Sequence, residues 1–180
     1  LLANNTAVSS GYAGSVNQQP QVANELTKTM MDLNAFSEEL MQLRRQKKPI
    51  RIFYSEASAI NKSTHMGDLF ELYESLYFKG LPMGYATANI INKQDNKDWE
   101  VILLYKTDYV TDSEFSALQS YLNNGGTVVI DNGRSISKNE YGQARTTVLT
   151  SGTGTLMNMG SAATYSQMKD KALDILSSKN

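Results

Sequence analysis

The hydrophobic positions between residues 22 and 46 repeat with helical spacing. They lie three or four residues apart and so fall on one side of an α-helix, at Val22, Leu26, Met30, Leu33, Phe36, Leu40 and Leu43. Pro20 stands just ahead of this stretch, and a cluster of Arg and Lys followed by Pro49 ends it. Cations favour a helix C-terminus, where they are usually solvated, and proline prevents a further turn. The pattern predicts one long amphipathic helix.

Residues 1–21 have a different character. They are mostly Asn, Ser, Gly, Gln and Ala, and so few apolar side chains cannot offset the conformational entropy that ordering costs. We expect a tail or linker. The first residue is Leu1, and neither an initiator Met nor the pattern of a signal peptide follows, so we interpret the start as a cut within a longer protein.

Beyond residue 48, short apolar runs alternate with amphipathic stretches. Strands are predicted at 50–54, 83–87, 99–105, 127–131 and 155–159. The run at 99–105 is nearly unbroken, which is typical of a strand covered on both faces. Helical periodicity predicts helices at 65–79, after the capping-box motif Thr111-Asp112-Ser113-Glu114, and at 161–178. Residues 92–98 read as a polar turn, and 146–150 as a short β-prone run. The alternation predicts an α/β fold with a flavodoxin-like parallel sheet and helices on both faces.

Composition excludes several classes of function. The 17 basic and 18 acidic residues give a net charge of −1, which does not favour nucleic acid as a partner. The longest apolar runs fall far short of the roughly 20 residues that a membrane-spanning helix needs, so no membrane partner is expected. The sequence contains no cysteine, which excludes disulfides and thiolate metal ligands and fits any compartment. No metal site or cofactor is predicted.

Candidate ligand-binding residues follow the first predicted strand. Glu56, Ser58 and the single histidine, His65, lie just beyond it, where open α/β sheets commonly bind ligands. A lone histidine without cysteine cannot build the usual metal sites. For His65, a surface or capping position at a helix start is the favoured interpretation.

A second polar group follows the strand at 127–131. It comprises Asp131, Asn132, Arg134 and Ser135, which have the chemistry to contact a sugar or another subunit, although a solvated loop explains them more simply. Gly125-Gly126 and Gly152-Thr153-Gly154 lack the Lys-Ser/Thr ending of a phosphate loop and are predicted to be turns. The aromatic residues of the second helix and the strand after it are interpreted as packing rather than as a platform for sugars: Tyr73, Tyr77, Phe78 and Tyr85.

Residues 50–131, a little under half of the chain, resemble a known family. The ordered blocks are Arg51-Ile52-Phe53-Tyr54, Gly80-Leu81-Pro82, Trp99 to Tyr105, Val110-Thr111-Asp112, Leu118, Tyr121-Leu122 and Asn124 to Ile130. Together they are similar to the middle, or trimerisation, domain of β-galactosidases of glycoside hydrolase family 42. No single block is specific, since a Gly-Gly-Thr turn recurs widely in amidotransferase-like domains; the order of the blocks carries the resemblance.

The resemblance implies a three-layer fold like that of class I glutamine amidotransferases, without their reaction. Amidotransferase chemistry uses Cys, His and Glu, and this chain has no cysteine. It also implies that the family's catalytic glutamates lie in a separate barrel. The expected organisation is a linker at 1–21, a helix at 22–48 that connects to the barrel, and an amidotransferase-like domain at 49–180.

Three hypotheses for function follow. The first is a non-catalytic domain that mediates self-association, as a trimer or other homo-oligomer, and walls the active site of its own barrel in a β-galactosidase-like hydrolase. The second is an amidotransferase-like or flavodoxin-like enzyme that uses Ser or Glu near residues 55–65. The third is a stand-alone module that binds a galactoside or another small ligand without any reaction.

Overall fold

The computed structural model describes residues 19–131, 135–160 and 163–178. The chain divides into two compact units between Gln46 and Lys47. No helix within the described ranges is long and apolar enough to cross a membrane.

Within residues 19–46, the described part of the first unit, the chain forms two helices where the sequence predicts one. Helix α1 spans Pro20–Ala35 and helix α2 spans Ser37–Arg45. At Phe36 the backbone leaves helical geometry (φ −101°, ψ 22°), and its amide donates to the carbonyls of Asp32 and Asn34. Glu38 and Glu39 then occupy the first turn of α2, where carboxylates favour a new helix start. The prediction of one continuous helix is therefore wrong at Phe36.

The second unit is built on a five-stranded parallel sheet. Its elements, in chain order, are β1 (Ile50–Phe53), α3 (Glu56–Asn61), α4 (His65–Tyr77), β2 (Met83–Ala86), α5 (Ala88–Lys93), β3 (Val101–Leu104), α6 (Asp112–Asn123), β4 (Thr127–Ile130), β5 (Thr155–Asn158) and α7 (Tyr165–Ser178). The strand order is β2-β1-β3-β4-β5, and every neighbouring pair is parallel. This is the flavodoxin-like order, in which the direction of winding changes between β1 and β3.

Helices cover both faces of the sheet, which makes the domain three layers thick. Strand β3 illustrates this, because Ile102 and Leu104 pack with α5 and α6 whereas Val101 and Leu103 pack with α4 and α7. All four side chains are fully buried, as the unbroken apolar run predicts. The predicted three-layer α/β fold is confirmed.

The predicted capping box opens α6. Thr111 Oγ1 accepts from the amide of Glu114 at 3.1 Å, and Glu114 Oε2 accepts from the amide of Thr111 at 2.7 Å. After α6 the chain reverses at Gly125, whose φ of +89° lies in the left-handed region that glycine adopts without strain. The capping box therefore sets the start of α6, and the glycine turn sets its end.

Two short helices were not predicted. Helices α3 and α5 have six residues each, too few for helical periodicity to show, and their N-caps are single hydroxyls, Ser55 and Thr87. The predicted polar turn at 92–98 is wrong over its first two residues, since α5 reaches Lys93. The β-prone run at 146–150 forms no strand. The start of the predicted helix at 161–178 falls partly outside the described residues, and α7 begins at Tyr165.

Candidate functional site

The carboxyl ends of β1, β3 and β4 bring polar side chains together at one edge of the sheet. Ser55 and Ser58 follow β1, Lys106 follows β3, and Asp131 follows β4 directly. In parallel sheets of this order, ligands commonly bind at this edge, beside the change in winding direction. We call this group, with its hydrogen-bonded neighbours, the carboxyl-edge cluster.

The two serines hold the loop after β3 in place. Ser58 Oγ donates to the carbonyl of Tyr109 at 2.6 Å and accepts from its amide at 3.0 Å. Ser55 Oγ lies 2.9 Å from both the Tyr109 carbonyl and Glu114 Oε2 and donates to one of them at a time. Both serines are fully buried. Their hydroxyls therefore join β1, the β3 loop and the start of α6, and neither faces solvent.

Two lysines and two aspartates form an ion-pair network beside the serines. Lys106 Nζ donates to Asp68 Oδ1 at 2.6 Å. Lys62 Nζ lies 3.4 Å from Asp108 Oδ2 and 3.8 Å from Asp68 Oδ2, and it donates to the Lys106 carbonyl at 2.9 Å. The hydrogen bond to Asp68 raises the pKa of Lys106 above its ordinary value. The charges of the network therefore balance within it.

Lys106 has an unusual backbone. Its φ is +49°, in the left-handed region that residues other than glycine rarely adopt. The conformation directs its amide to Asp131 Oδ2 at 2.9 Å, while Asp131 Oδ1 accepts from Ser135 Oγ at 2.5 Å. Asp131 is fully buried, so the solvated loop predicted for this position is wrong, because the carboxylate holds the turn after β3.

His65 begins α4, as expected, but its side chain is fully buried rather than at the surface. Neither ring nitrogen meets hydrogen-bond geometry with any residue that the structure describes. Burial lowers the pKa of His65 below its ordinary value, and the nearby Lys106 carbonyl offsets only part of this effect. The ring lies 6.4 Å from that of Tyr54, centroid to centroid. Burial therefore disfavours the charged imidazolium inside the fold.

The other predicted ligand-binding residues are Glu56, Asn132 and Arg134. Glu56 is exposed in the first turn of α3. Asn132 and Arg134 lie outside the described residues. The structure thus groups Ser58, His65 and Asp131 at the carboxyl edge, although all three are enclosed, and their predicted role in ligand binding stays a prediction.

The geometry of the cluster suits support of the loops more than a reaction. The serine hydroxyls are buried, and no hydrogen bond joins a serine to His65 among the described residues. Across residues 19–131, 135–160 and 163–178, no three His, Asp or Glu side chains are grouped as metal ligands. An activated nucleophile requires an adjacent base within hydrogen-bond reach. Ser55 lies 2.9 Å from Glu114 Oε2, but its hydroxyl is fully buried, and this carboxylate also accepts from the Thr111 amide in the capping box.

Sequence reasoning missed the ion-pair network. Lys106 could have been identified as a candidate residue of the carboxyl edge, because it follows the apolar run of β3 as Asp131 follows that of β4. Asp68 and Lys62 carry no such signal, since a charged residue on an amphipathic helix or in a loop usually faces solvent. Only the packing of α4 against the sheet brings Asp68 next to Lys106.

A comparison with solved structures found a strong likeness. Over 94% of its length the chain is similar to part of the apo exo-carrageenase of glycoside hydrolase family 42 from Bacteroides ovatus, with 42% sequence identity and a TM-score of 0.77. It spans 23% of that protein's length. No protein-family model matches the sequence, and no curated protein matches it.

Two β-galactosidase structures are more distant. The enzyme from Bifidobacterium adolescentis shares 16% identity at a TM-score of 0.44, over 55% of this chain and 46% of that one. Gan42B, a family 42 β-galactosidase, shares 16% identity at a TM-score of 0.43, over 58% of this chain and 16% of that one. Neither is close enough to support an argument about this chain. The likeness to the exo-carrageenase confirms the predicted resemblance: the chain is similar, over nearly all of its length, to a domain-sized part of a glycoside hydrolase family 42 enzyme.

Proposed function

We propose that this chain is a non-catalytic domain of a glycoside hydrolase of family 42, where it makes subunit contacts and walls the active site of a neighbouring barrel. The exo-carrageenase shares 42% of aligned residues with the chain, so a galactan of the carrageenan type is the proposed substrate class of the whole enzyme. A β-galactoside is the alternative that the sequence resemblance implies.

An exposed aromatic stripe on α4 carries the proposal of a subunit contact. The stripe consists of Met66, Phe70, Tyr73, Tyr77 and Phe78. Four of these side chains are exposed, and Phe78 is the most exposed of them at 80%. The exposed four are Met66, Phe70, Tyr77 and Phe78. Tyr77 and Phe78, predicted to pack inside, are both exposed. Contiguous exposed apolar surface marks interaction sites, and Tyr, Phe and Met are enriched at protein interfaces.

The rings of the stripe contact one another in series. Centroid distances are 6.3 Å from Phe70 to Tyr73, 5.9 Å from Tyr73 to Tyr77 and 5.6 Å from Tyr77 to Phe78. Tyr73 also stacks on Tyr85 of β2 at 5.9 Å. Because β2 is an edge strand of the sheet, the stripe adjoins backbone that pairs with no other strand in the described ranges on its outer side. We propose a second copy of the enzyme as the partner that covers this surface.

The carboxyl-edge cluster supports the non-catalytic part of the proposal. The amidotransferase reaction that the fold's resemblance suggests uses a cysteine nucleophile, and the sequence has none. The serines that follow β1 are buried and bonded to Tyr109. An enzyme that uses Ser58 would have to break the two hydrogen bonds between Ser58 and Tyr109 and expose the serine.

The test is the mass of the full-length enzyme in solution, measured by light scattering after size exclusion. We expect a trimer or other homo-oligomer, and we expect the double substitution Tyr77→Ser, Phe78→Ser to shift it to the monomer. Tyr141→Ser is the matched control, because Tyr141 is an aromatic residue that is 81% exposed outside the stripe.

Two results would contradict the proposal. A full-length enzyme that is strictly monomeric removes the subunit contact, and equal dissociation by the control variant removes the role of the stripe. The isolated chain is expected to hydrolyse neither carrageenan nor β-galactosides. Turnover by the chain alone that is lost in Ser58→Ala would favour the enzyme hypothesis instead.

A further inference from the structure

The turn at residues 139–143 is fixed by hydrogen bonds and carries an exposed tyrosine. Asn139 Oδ1 accepts from the amides of Tyr141 and Gln143 at 3.0 and 2.9 Å, and Asn139 Nδ2 donates to Gln143 Oε1 at 2.9 Å. Gly142 has a φ of +80°, which glycine adopts without strain. Tyr141 is 81% exposed. The turn therefore holds an aromatic side chain outward on a defined backbone.

Two neighbouring elements hold this turn at the carboxyl edge of the sheet. At its base, the amide of Lys138 donates to the Asp108 carbonyl at 3.0 Å, and the Lys138 carbonyl accepts from the amide of Val110 at 3.0 Å. Asp108 and Val110 belong to the loop after β3. On its other side, Asn61 Nδ2 at the end of α3 donates to the Glu140 carbonyl at 3.2 Å. The turn is thus bound to the loop after β3 and to α3.

Two of the most exposed large hydrophobic side chains of the described residues flank the hydrogen bond from α3. They are Ile60, which is 83% exposed, and Tyr141. The ring of the half-buried Tyr109 continues the surface, because it lies 3.9 Å from the position of a Cβ atom at Gly142. We call Ile60, Tyr109 and Tyr141 the Tyr141 surface. Contiguous exposed apolar surface marks interaction sites, and tyrosine is enriched at protein interfaces.

The fixed turn makes this surface suited to binding a partner. A group that is already ordered loses little conformational entropy when it binds, and tyrosine offers a large contact area with few rotatable bonds. The exposed ring of Tyr141 lies outside the core of the domain, so its position contributes little to the packing of that core. Binding residues are commonly placed on loops that a rigid scaffold holds.

The barrel of the same enzyme is the partner that the observations favour. The chain spans 23% of the length of the exo-carrageenase that it resembles, so most of an enzyme of that kind lies outside it. The aromatic stripe, assigned above to a second copy, lies on α4. The loop that holds the turn leads into α6, on the opposite face of the sheet. Two different partners can therefore cover the two surfaces at once.

We infer that the Tyr141 surface is the face by which this domain docks on the barrel of its own polypeptide. The choice of the barrel rests on the proposed function, while the surface itself rests on the exposure of Ile60 and Tyr141 and on the fixed turn. Docking through this surface places the carboxyl edge of the sheet, rather than the α4 face, against the barrel.

Hydroxyl-radical footprinting read by mass spectrometry tests this inference, because side chains are labelled according to their exposure. The isolated chain and the full-length enzyme are labelled side by side. We expect labelling of Ile60 and Tyr141 to fall about five-fold in the full-length enzyme, since residues at the centre of an interface lose most of their accessible surface. Val148 is the internal reference, because it is 71% exposed and lies near Thr150, whose amide donates to Gln119 Oε1 on α6.

Variants of the full-length enzyme separate the barrel from a second copy as the partner. In the stripe variant Tyr77→Ser, Phe78→Ser, we expect Tyr141 to stay protected, because the barrel belongs to the same polypeptide. Ile60→Glu places a charge in the contact, where an unpaired charge is costly, and is expected to restore about half of the labelling of Tyr141. Val148→Glu is the matched control and is expected to restore none.

Three results would overturn the inference. The first is equal labelling of Ile60 and Tyr141 in the isolated chain and in the full-length enzyme. The second is protection that disappears when the stripe variant dissociates, which would assign the surface to a second copy. The third is equal restoration of labelling by Val148→Glu. A full-length enzyme that is strictly monomeric would defeat the proposed subunit contact and still allow protection of Tyr141, so the two proposals fail separately.

Discussion

Replacement of His65 by phenylalanine tests whether its buried imidazole lowers the stability of the fold. The ring is fully buried, and neither nitrogen makes a hydrogen bond to the described residues. A buried polar group without a partner costs about 1–3 kcal/mol by mutational measures. The nearby Lys106 carbonyl reduces this cost, and the larger phenyl ring adds some strain. We therefore expect His65→Phe to raise the free energy of unfolding at pH 7.5 by about 1 kcal/mol.

The same residue makes stability depend on pH. Burial lowers the pKa of His65, as does the positive charge of Lys62, whereas the Lys106 carbonyl, Asp68 and Asp108 oppose the shift. The unfolded chain takes up a proton near pH 6.5, while the folded chain does so only at lower pH. Stability is therefore complete above about pH 6.5 and falls as the pH decreases below it, by up to about 1.4 kcal/mol per pH unit.

The assay is urea denaturation followed by Trp99 fluorescence at pH 7.5 and 5.5. Between these pH values the wild type is expected to lose stability and His65→Phe to lose less. Glu71→Gln, an exposed change on the same helix, serves as the control and is expected to follow the wild type. The reasoning is refuted if His65→Phe shows the same pH dependence as the wild type. A loss of more than about 1 kcal/mol at pH 7.5 would show that the imidazole has a stabilising partner.

Two further predictions concern the packing of α6 and β5. Thr111→Ala removes one capping bond and is expected to lower the free energy of unfolding by about 1 kcal/mol. Glu114→Ala is expected to lower it more, because this change also breaks the hydrogen bond to Ser55. Equal losses of stability in urea denaturation would contradict this. Gly154→Ala is expected to lower the thermal midpoint, because a Cβ atom there would collide with the carbonyl oxygens of Leu122 and Gly126. Gly67→Ala, at a helical glycine where a Cβ atom meets nothing within 4 Å, is the control, and an equal decrease there would refute the steric argument.

Much of the fold was predictable because it depends on local patterns. The β3 run of four apolar residues, the capping box at Thr111 and the turn at Gly125 each contain their own signal within a few residues. Helices α3 and α5 are too short to show a period, and the end of α1 at Phe36 falls inside an unbroken apolar stripe. Periodicity records which side of a helix is apolar and does not report where the helix stops.

The candidate site was less predictable than the fold. The rule that ligands bind at the carboxyl edge of a parallel sheet led to the prediction of Ser58, His65 and Asp131 as ligand-binding residues, but the rule does not indicate exposure. All three proved to be buried. Ser58 and Asp131 are held by Tyr109 and Lys106, which reach them from the loop after β3.

The sequence by itself determined the α/β class, the order of the main strands and helices, the absence of a cysteine nucleophile and the resemblance to family 42. These follow from composition and from patterns within single elements. Only the tertiary structure decided that His65 is buried, that Lys62, Asp68 and Lys106 form one network, and that Tyr77 and Phe78 face outward. Each of these depends on which elements pack together, and the free energy of that packing comes from contacts between residues far apart in the chain.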